Sequence, residues 1–375
     1  MKKLCFVATI PEVVHAFLKG HIRAAAKRWP VRIVTNPAGA ELLDDLDAQF
    51  IPLAIQRKAS PWRDLLVLIQ LTMLFRRERF DLVHSIMPKT GLLAMLAGWL
   101  AGVPNRMHTF TGQVWANKRG WKRNALKSFD KLIVLFATHV LVDSPSQRDF
   151  LVSEGVLKPG KGIVLGHGSI CGVGAEQFHP DAQASSAVRA EMGISPEQTV
   201  ILFLGRLNRD KGMLDLAAAF ADIASRRSDV VLVLVGTEED VPFAHVQEIC
   251  GVYRDRLRRG SFTPVPERYM AAADIFCLPS YREGFGQVII EAAACGVPTV
   301  ATRIYGITDA VEEGKTGLLF LAGDVAALTK NLLTLIEDQA LRENMGEAAR
   351  IRALELFASE KITGELVRLY EKILA

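Results

Sequence analysis

Short apolar runs typical of buried strands alternate with longer amphipathic segments along almost the whole chain, and this alternation constrains the fold more than any other feature. Parallel strands need long crossover connections, usually helices, so the pattern predicts parallel sheets with helices on both faces, an α/β fold class. The runs predicted to be strands cover residues 4–9, 31–35, 82–85, 107–110, 140–142, 163–165, 200–204, 230–235, 275–278 and 299–301.

The series is interrupted by residues 172–198, which are polar, rich in Gly, Pro and Ser, and contain no core strand. A chain of 375 residues exceeds one ordinary core and accommodates two domains. We therefore predict a first domain over residues 1–175, a second over residues 176–358, and a helical end to the chain. Doubly wound domains bind ligands at the carboxyl ends of their strands, so a cleft between the two domains is the expected ligand site.

Composition narrows the class of protein. Residues 1–180 hold 24 Lys and Arg against 13 Asp and Glu, whereas the remainder holds 21 against 28. The basic half favours an anionic partner such as lipid headgroups, phosphates or nucleic acid. Five cysteines without CxxC spacing predict reduced thiols in a cytosolic protein and no zinc site. Dinucleotide and P-loop fingerprints are missing after the first strand, which disfavours NAD enzymes and P-loop kinases.

The segment "ILFLGRLNRDKGMLDLAAAF", residues 201–220, combines a strand end, a turn and a helix start. Gly205 ends the predicted strand, Arg206 follows it, and Lys211 precedes the predicted helix. Free N–H groups and the helix dipole favour an anion at such a junction. The planar guanidinium and the ammonium group together suit a diphosphate, while the alternative is a solvated loop.

The segment "SYREGFGQVIIEAAACGVP", residues 280–298, places two glutamates where a predicted strand gives way to a helix. Glu283 lies in the loop, and Gly284 and Gly286 allow the backbone to approach a ligand closely. Glu291 lies further along the predicted helix. Carboxylates accept hydrogen bonds from neighbouring hydroxyl groups, so the pair predicts a sugar-containing, elongated ligand.

These residues resemble the E-x7-E motif of the retaining glycosyltransferases of family 4, which have the GT-B fold. The segments "GRLNRDKG", "ADIFCLPSYREGFGQVIIEAAACGVPTVAT" and "EEGKTGLLF" match the family's pattern in the same order. The resemblance implies two Rossmann-like domains that face each other across a cleft. The first would lie on the acceptor side, the second would bind the nucleotide sugar, and a last helix, residues 359–375, would cross back to the first domain.

The resemblance also implies roles for individual residues. Glu291 would bind the ribose, and Arg206 and Lys211 would hold the diphosphate beside Gly205. Glu283 and the backbone of Gly284, Phe285 and Gly286 would bind the transferred sugar. Residues 262–265 would border the base. No metal and no cofactor are expected, because the family neutralises the diphosphate with these cations.

Catalytic candidates in the first half are fewer. Many relatives carry a histidine where Thr111 stands, and His108 matches an earlier histidine that only some of them carry. His108 is therefore a candidate catalytic residue, with a core histidine as the open alternative. His84 and Lys89 are further candidates at another predicted strand end.

Basic and aromatic residues are concentrated in residues 115–127. We refer to Lys118, Arg119, Lys122, Arg123 and Lys127 as the basic cluster; Trp115 and Trp121 accompany it. This composition suits anionic lipid headgroups, with single-stranded nucleic acid or a plain solvated face as alternatives. We expect an anionic membrane surface and no nucleic acid as the partner.

The sequence thus predicts a cytoplasmic enzyme at the inner face of the cell membrane. It would move a sugar, with an N-acetylhexosamine among the candidates, from a UDP-sugar to a hydroxyl of a saccharide on polyprenyl diphosphate. O-antigen or capsule assembly is the expected setting, and the family resemblance implies same-face attack as the mechanism. The alternatives are a GT-B-fold sugar-nucleotide epimerase or hydrolase, and a binding protein that kept the fold without activity.

Overall fold

A computed structural model of the chain describes residues 1–56, 58 and 60–375, which divide into two compact units. Unit 1 comprises Met1–Gly172 together with Ser359–Ala375, and unit 2 comprises Val173–Ala358. The predicted boundaries after residues 175 and 358 lie within three residues of these divisions.

Unit 1 is built on a parallel sheet of seven strands in the order β3-β2-β1-β4-β5-β6-β7. In its central register, Leu4 lies opposite both Val31 and Leu82. The strands are β1 Leu4–Val7, β2 Val31–Thr35, β3 Gln49–Pro52, β4 Leu82–Ile86, β5 Asn105–Phe110, β6 His139–Val142 and β7 Ile163–Val164.

Unit 2 is built on a parallel sheet of six strands in the order β10-β9-β8-β11-β12-β13. The strands are β8 Thr199–Leu204, β9 Val230–Val235, β10 Leu257–Gly260, β11 Ile275–Leu278, β12 Thr299–Thr302 and β13 Gly317–Phe320. The strand order reverses between β8 and β11. The loops that follow these two strands therefore emerge side by side, which is the position where open α/β sheets bind ligands.

Helices connect the strands and cover both sheets, so the predicted α/β class is confirmed. The α-helices are α1 Pro11–Val13, α2 Lys19–Ala26, α3 Pro61–Glu78, α4 Pro88–Ala101, α5 Gly120–Phe136, α6 Pro145–Ser153, α7 Ala182–Glu191, α8 Met213–Arg226, α9 Phe243–Cys250, α10 Pro266–Ala271, α11 Gln287–Ala294, α12 Ile307–Ala310, α13 Val325–Glu337, α14 Gln339–Leu356 and α15 Ser359–Leu374. Val14–Leu18 is π-helical, and Ala40–Leu43, Arg209–Lys211 and Gly251–Arg256 form 3-10 turns. Within the described part of the chain, no helix has the length and apolar character needed to cross a bilayer.

The last helix, α15, packs in unit 1 against α2. Its apolar residues Leu366 and Tyr370 are buried in the core on that side of the sheet. The hydroxyl of Tyr370 lies 2.6 Å from Nδ1 of His84 in β4. The other side of the sheet is covered by α3, α4, α5 and α6, whose inner residues form a separate core.

Candidate active site

The loops after β8 and β11 are in direct contact in unit 2. The backbone N–H of Tyr281 donates to the carbonyl of Asp210 at 2.8 Å. Gly212 has φ +70°, and a Cβ at this position would lie 2.0 Å from the carbonyl oxygen of Pro279. Only glycine accommodates both the left-handed backbone and this close approach. The junction of the two loops therefore requires glycine at position 212, directly after Lys211.

Lys211 and Glu283, predicted from separate motifs, meet at this junction. Nζ of Lys211 lies 2.5 Å from Oε1 of Glu283, and the hydroxyl of Ser280 donates to the same oxygen at 2.8 Å. The backbone N–H of Lys211 donates to Oδ1 of Asn208 at 2.8 Å, which fixes the turn. Both charged side chains are mostly buried, so their attraction is less screened than that of a surface pair.

Arg206 is held by a residue that the sequence analysis missed. Its Nη1 donates to both carboxylate oxygens of Glu239 at 2.7 Å, and Nδ2 of Asn208 donates to the same carboxylate at 2.6 Å. Glu239 lies in the loop after β9, in the segment "EED". Nothing in the sequence of this segment predicts a contact with Arg206 or Asn208 of "GRLN". Both predicted diphosphate cations thus have a carboxylate partner.

Glu291 lies in α11, one turn after Gln287, whose amide Nε2 donates to its Oε1 at 3.2 Å. Burial raises the pKa of Glu291 to about 7, the hydrogen bond from Gln287 opposes this increase, and the charge of Glu267 adds to it. Glu291 is therefore poised between its acid and its carboxylate form near neutral pH.

The glycine-rich loop before α11 is packed rather than open. Gly284, Phe285 and Gly286 are buried, and the ring of Phe285 lies 5.1 Å from that of Phe357. Gly205 continues the strand ladder, since its N–H donates to the carbonyl of Val235 at 2.9 Å. In the segment predicted to border the base, by contrast, the side chain of Phe262 is 71% exposed.

His108 lies in unit 1, in the interior of β5, and is 0% exposed. Its Nδ1 lies 2.9 Å from the hydroxyl of Ser85, and its ring is 4.7 Å from that of Phe110. Nε2 has no hydrogen-bond partner in the described structure. Burial lowers the pKa of His108 to about 3. This environment favours the core alternative over the catalytic one.

The two further candidates of unit 1 also have protein partners. His84 is buried and lies within hydrogen-bonding distance of Thr109 as well as Tyr370. Nζ of Lys89 pairs with Oδ1 of Asp64 at 2.6 Å. Neither contact assigns a chemical role.

The interpretation of Trp115 as an interfacial residue is wrong. Its side chain is 0% exposed and donates from Nε1 to Oδ2 of Asp130 at 2.7 Å. Arg123 and Lys127 lie over its ring and each pair with Glu154 at 2.7 Å. Trp115 precedes α5 instead of lying on its outer face, so helical spacing was the wrong guide to its direction. Trp121, in contrast, is 75% exposed.

Family comparisons cover most of the chain. Residues 185–352 match the family described as "Glycosyl transferases group 1", and residues 18–168 match the "Glycosyl transferase 4-like domain".

Curated relatives match over similar spans. The chain is 29% identical over its full length to "Capsular polysaccharide biosynthesis glycosyltransferase CapM" of Staphylococcus aureus and covers 98% of that protein. It is 31% identical to "Alpha-maltose-1-phosphate synthase" of Mycobacterium tuberculosis, over 78% of this chain and 79% of that protein. It is 27% identical to "UDP-Gal:alpha-D-GlcNAc-diphosphoundecaprenol alpha-1,3-galactosyltransferase" of Escherichia coli, over 84% of this chain and 82% of that protein.

Solved structures share the fold. Sucrose-phosphate synthase from Thermosynechococcus elongatus superposes with a TM-score of 0.81 at 23% identity, covering 100% of this chain and 99% of that one. Anabaena Alr3699/HepE in complex with UDP-glucose gives 0.82 at 19% identity, over 99% and 100% of the two chains. At these identities the likeness shows the fold alone, and this fold is GT-B.

Proposed function

Because the chain belongs to the group 1 glycosyltransferases, we propose that it transfers a sugar from a UDP-sugar to an acceptor hydroxyl with retention of configuration. The observation that carries this proposal is the meeting of Lys211 and Glu283 at the point where the strand order of unit 2 reverses. A cation for the diphosphate and a carboxylate for the sugar lie there side by side. UDP is proposed as the nucleotide because the E. coli relative is named for UDP-galactose and the Anabaena structure contains UDP-glucose.

In the proposed mechanism the protein binds and orients both reactants and stabilises the leaving charge. Arg206 and Lys211 exchange their carboxylate partners for the diphosphate, and Glu291 accepts hydrogen bonds from the ribose. Glu283 and the backbone of residues 284–286 hold the transferred sugar. The acceptor oxygen bonds to the anomeric carbon on the face from which the diphosphate departs. The departing diphosphate takes the acceptor's proton, so the products are the glycoside and UDP.

For the acceptor we propose a saccharide linked to polyprenyl diphosphate, in the synthesis of a bacterial surface polysaccharide. The S. aureus relative is named for capsular polysaccharide and the E. coli relative for a diphosphoundecaprenol substrate. Association with an anionic membrane surface would bring the enzyme to such an acceptor. The proposal includes no metal, since Arg206 and Lys211 supply the positive charge.

The experiment begins with a thermal-shift screen of UDP-, GDP- and ADP-sugars, followed by transfer to a lipid-linked saccharide with EDTA present. We expect stabilisation by a UDP-sugar and an α-linked product from an α-linked donor. A β-linked product would contradict retention, and loss of activity in EDTA would contradict metal independence. Turnover of the donor at the same rate without acceptor would instead support the epimerase or hydrolase alternative.

A further inference from the structure

Helix α3 carries apolar residues on two opposite sides. Val67, Leu71 and Phe75 point into the core of unit 1 and are buried. Leu66 and Met73, on the other side, are 59% and 58% exposed. A surface helix of a water-soluble protein normally carries polar residues on its outer side. The outer side of α3 is therefore more apolar than expected for a helix surface that contacts only water.

The same feature continues across the two helices beside α3. We refer to these exposed residues together as the apolar face: Trp62, Leu65, Leu66, Ile69 and Met73 of α3, Trp99 and Leu100 of α4, and Trp121, Phe129, Leu132 and Leu135 of α5. Exposed apolar patches of this extent mark interaction surfaces.

The apolar face is continuous because α4 packs against both α3 and α5. Nη2 of Arg76, at the end of α3, donates to the carbonyl of Leu100 at 3.0 Å. The ring of Trp99 lies 5.3 Å from the ring of Phe136, at the end of α5. The ends of the three helices are thus joined by direct contacts within unit 1.

Basic residues flank the apolar stripe of α5. At ~100° per residue, positions 121, 129, 132 and 135 fall within about a third of the helix circumference. Lys122 and Lys131 lie on the two sides of this stripe, and both are exposed. On α3, Arg63 and Arg77 are exposed beside the corresponding stripe. An apolar stripe with cationic borders is typical of helices that lie in a membrane interface.

Helices α3, α4 and α5 carry an excess of positively charged residues. They carry eight Lys and Arg against three Asp and Glu. Each of these carboxylates has a partner: Asp64 pairs with Lys89, Glu78 with Arg77, and Asp130 accepts from buried Trp115. Arg123 and Lys127 pair with Glu154, which lies outside the three helices, so the surplus positive charge at the surface is that of Arg63, Arg76, Lys122 and Lys131. This surplus is complementary to an anionic partner.

From these contacts and charges we propose that the apolar face inserts into the interfacial region of an anionic lipid membrane. Helices α3 and α5 would lie along the membrane plane, with their aromatic and aliphatic residues among the upper acyl chains and the flanking cations at the phosphates. A second copy of the chain fits less well, because like-charged borders would meet in a symmetric pair. The proposal explains how the proposed lipid-linked acceptor is reached, but the binding itself requires no catalysis.

The test uses the full chain and vesicles of phosphatidylcholine, with or without phosphatidylglycerol. Leu66→Glu/Leu135→Glu disrupts the apolar face. Its matched control is Val252→Glu/Ile351→Glu, which introduces the same charges at positions of unit 2 that are 85% and 51% exposed. We expect the wild type and the control to sediment with anionic vesicles and to remain partly bound at high salt, because apolar insertion is not screened. The first variant should partition at least tenfold less.

Tryptophan emission gives a second readout, since Trp62, Trp99 and Trp121 would leave water on binding. Equal vesicle binding by the two double variants, or no blue shift on binding, would overturn the proposal. A wild-type dimer that the first variant dissociates, without vesicle binding by either, would assign the face to a second copy. UDP affinity measured without vesicles separates this proposal from the proposed function: vesicle binding by a protein that binds no UDP-sugar would leave the membrane face standing alone.

Discussion

Nζ of Lys211 and Oε1 of Glu283 are 2.5 Å apart, although 72 positions separate the two residues in the chain. The ion pair joins the loop after β8 to the loop after β11. A diphosphate that binds Lys211 must compete with this carboxylate, and the carboxylate is then available to the hydroxyl groups of a sugar. Binding of the two parts of one donor would in this way be coupled through a single pair of side chains.

Replacing Lys211 by alanine should lower kcat strongly but should have little effect on the melting temperature. In the proposed mechanism its cation stabilises a negative charge that grows as the diphosphate departs, and removal of one such contact typically costs about 10²-fold or more in kcat. Steady-state kinetics and thermal unfolding of the purified variant check this. Lys330→Ala, at an exposed position of α13, is the control. Normal kcat of Lys211→Ala in EDTA would contradict the diphosphate assignment.

Glu239→Gln should strengthen binding of UDP by up to about fivefold. The Arg206–Glu239 ion pair is exposed by more than 40% on both sides, so its own worth is ~0–1 kcal/mol. In the proposed mechanism UDP displaces this carboxylate from Arg206, and a neutral amide is displaced more easily. Calorimetric titration with UDP measures the change. Arg206→Ala should weaken binding and lower turnover, and weaker binding by Glu239→Gln would show that Glu239 positions Arg206 rather than competing for it.

Glu291→Ala should reduce affinity for UDP by about 10- to 100-fold, because a hydrogen bond to a charged group is worth roughly 1.5–3 kcal/mol. Titration of the folded variant with UDP and with uracil separates the ribose contact from the base contact. Unchanged affinity for UDP would contradict the ribose assignment.

The pH dependence of UDP binding should report the protonation of Glu291. Burial raises its pKa to about 7, and in the proposed mechanism the ribose hydroxyls donate to its carboxylate form, which is the stronger acceptor. Affinity should therefore increase from pH 6 to pH 8, and Glu291→Gln should remove this increase. Stability should change in the opposite direction, because the unfolded chain ionises first: it falls as the pH rises from 4.5 towards 7 and is constant above. The contribution of Glu291 is the difference in the free energy of unfolding between the wild type and Glu291→Gln. If this difference increased from pH 4.5 to pH 7 in favour of the wild type, the raised pKa would be contradicted.

Gly212→Ala should destabilise unit 2 by ~2–3 kcal/mol, since the left-handed backbone and a Cβ at 2.0 Å from the carbonyl of Pro279 are both unfavourable. The loops after β8 and β11 should separate, and turnover should fall with stability. Chemical denaturation measures the loss, with Gly193→Ala, whose Cβ would meet no atom within 4 Å, as a control for the backbone term alone. Equal losses at the two positions would show that the contact with Pro279 contributes nothing.

Buried, regular strands were predictable from the sequence. Val31–Thr35 and Val230–Val235 have the predicted bounds, because both are short runs rich in β-branched residues. Three strands were missed: Gln49–Pro52, Leu257–Gly260 and Gly317–Phe320. All three lie at sheet edges and are four residues long, and two of them contain proline or arginines, so pairing rather than pattern defines them. Helix α7 was also missed within the predicted linker, where Asp181 caps it.

The candidate site residues could be selected from the sequence, but their contacts could not. Motifs singled out Arg206, Lys211, Glu283 and Glu291 as candidates, whereas their pairing depends on which strands are neighbours. Glu239 has no motif of its own and enters only because β9 lies beside β8. In unit 1, two of the five cations of the basic cluster lie over the buried ring of Trp115, and this could not be predicted from helical spacing alone.

The last prediction concerns the exposed part of the basic cluster. Arg123 and Lys127 are engaged with Glu154, so Lys118, Arg119 and Lys122 are the members that face solvent. Each cation near an anionic surface contributes about 1 kcal/mol, and salt screens it within a Debye length of about 8–10 Å. Changing these three to glutamate should release most of the protein from anionic vesicles at low salt.

The control for this variant is Arg254→Glu/Lys315→Glu/Lys330→Glu, which makes the same charge change at exposed positions of unit 2. UDP affinity should be unchanged in both variants, and only the first should lose activity on a lipid-linked acceptor while keeping it on a short water-soluble one. Because the apolar face is intact, raising the salt should detach the wild type only partly. Equal sedimentation of the two variants at low salt would contradict this prediction. If both variants are released, the effect is one of net charge; if both stay bound, the basic cluster is an ordinary solvated surface.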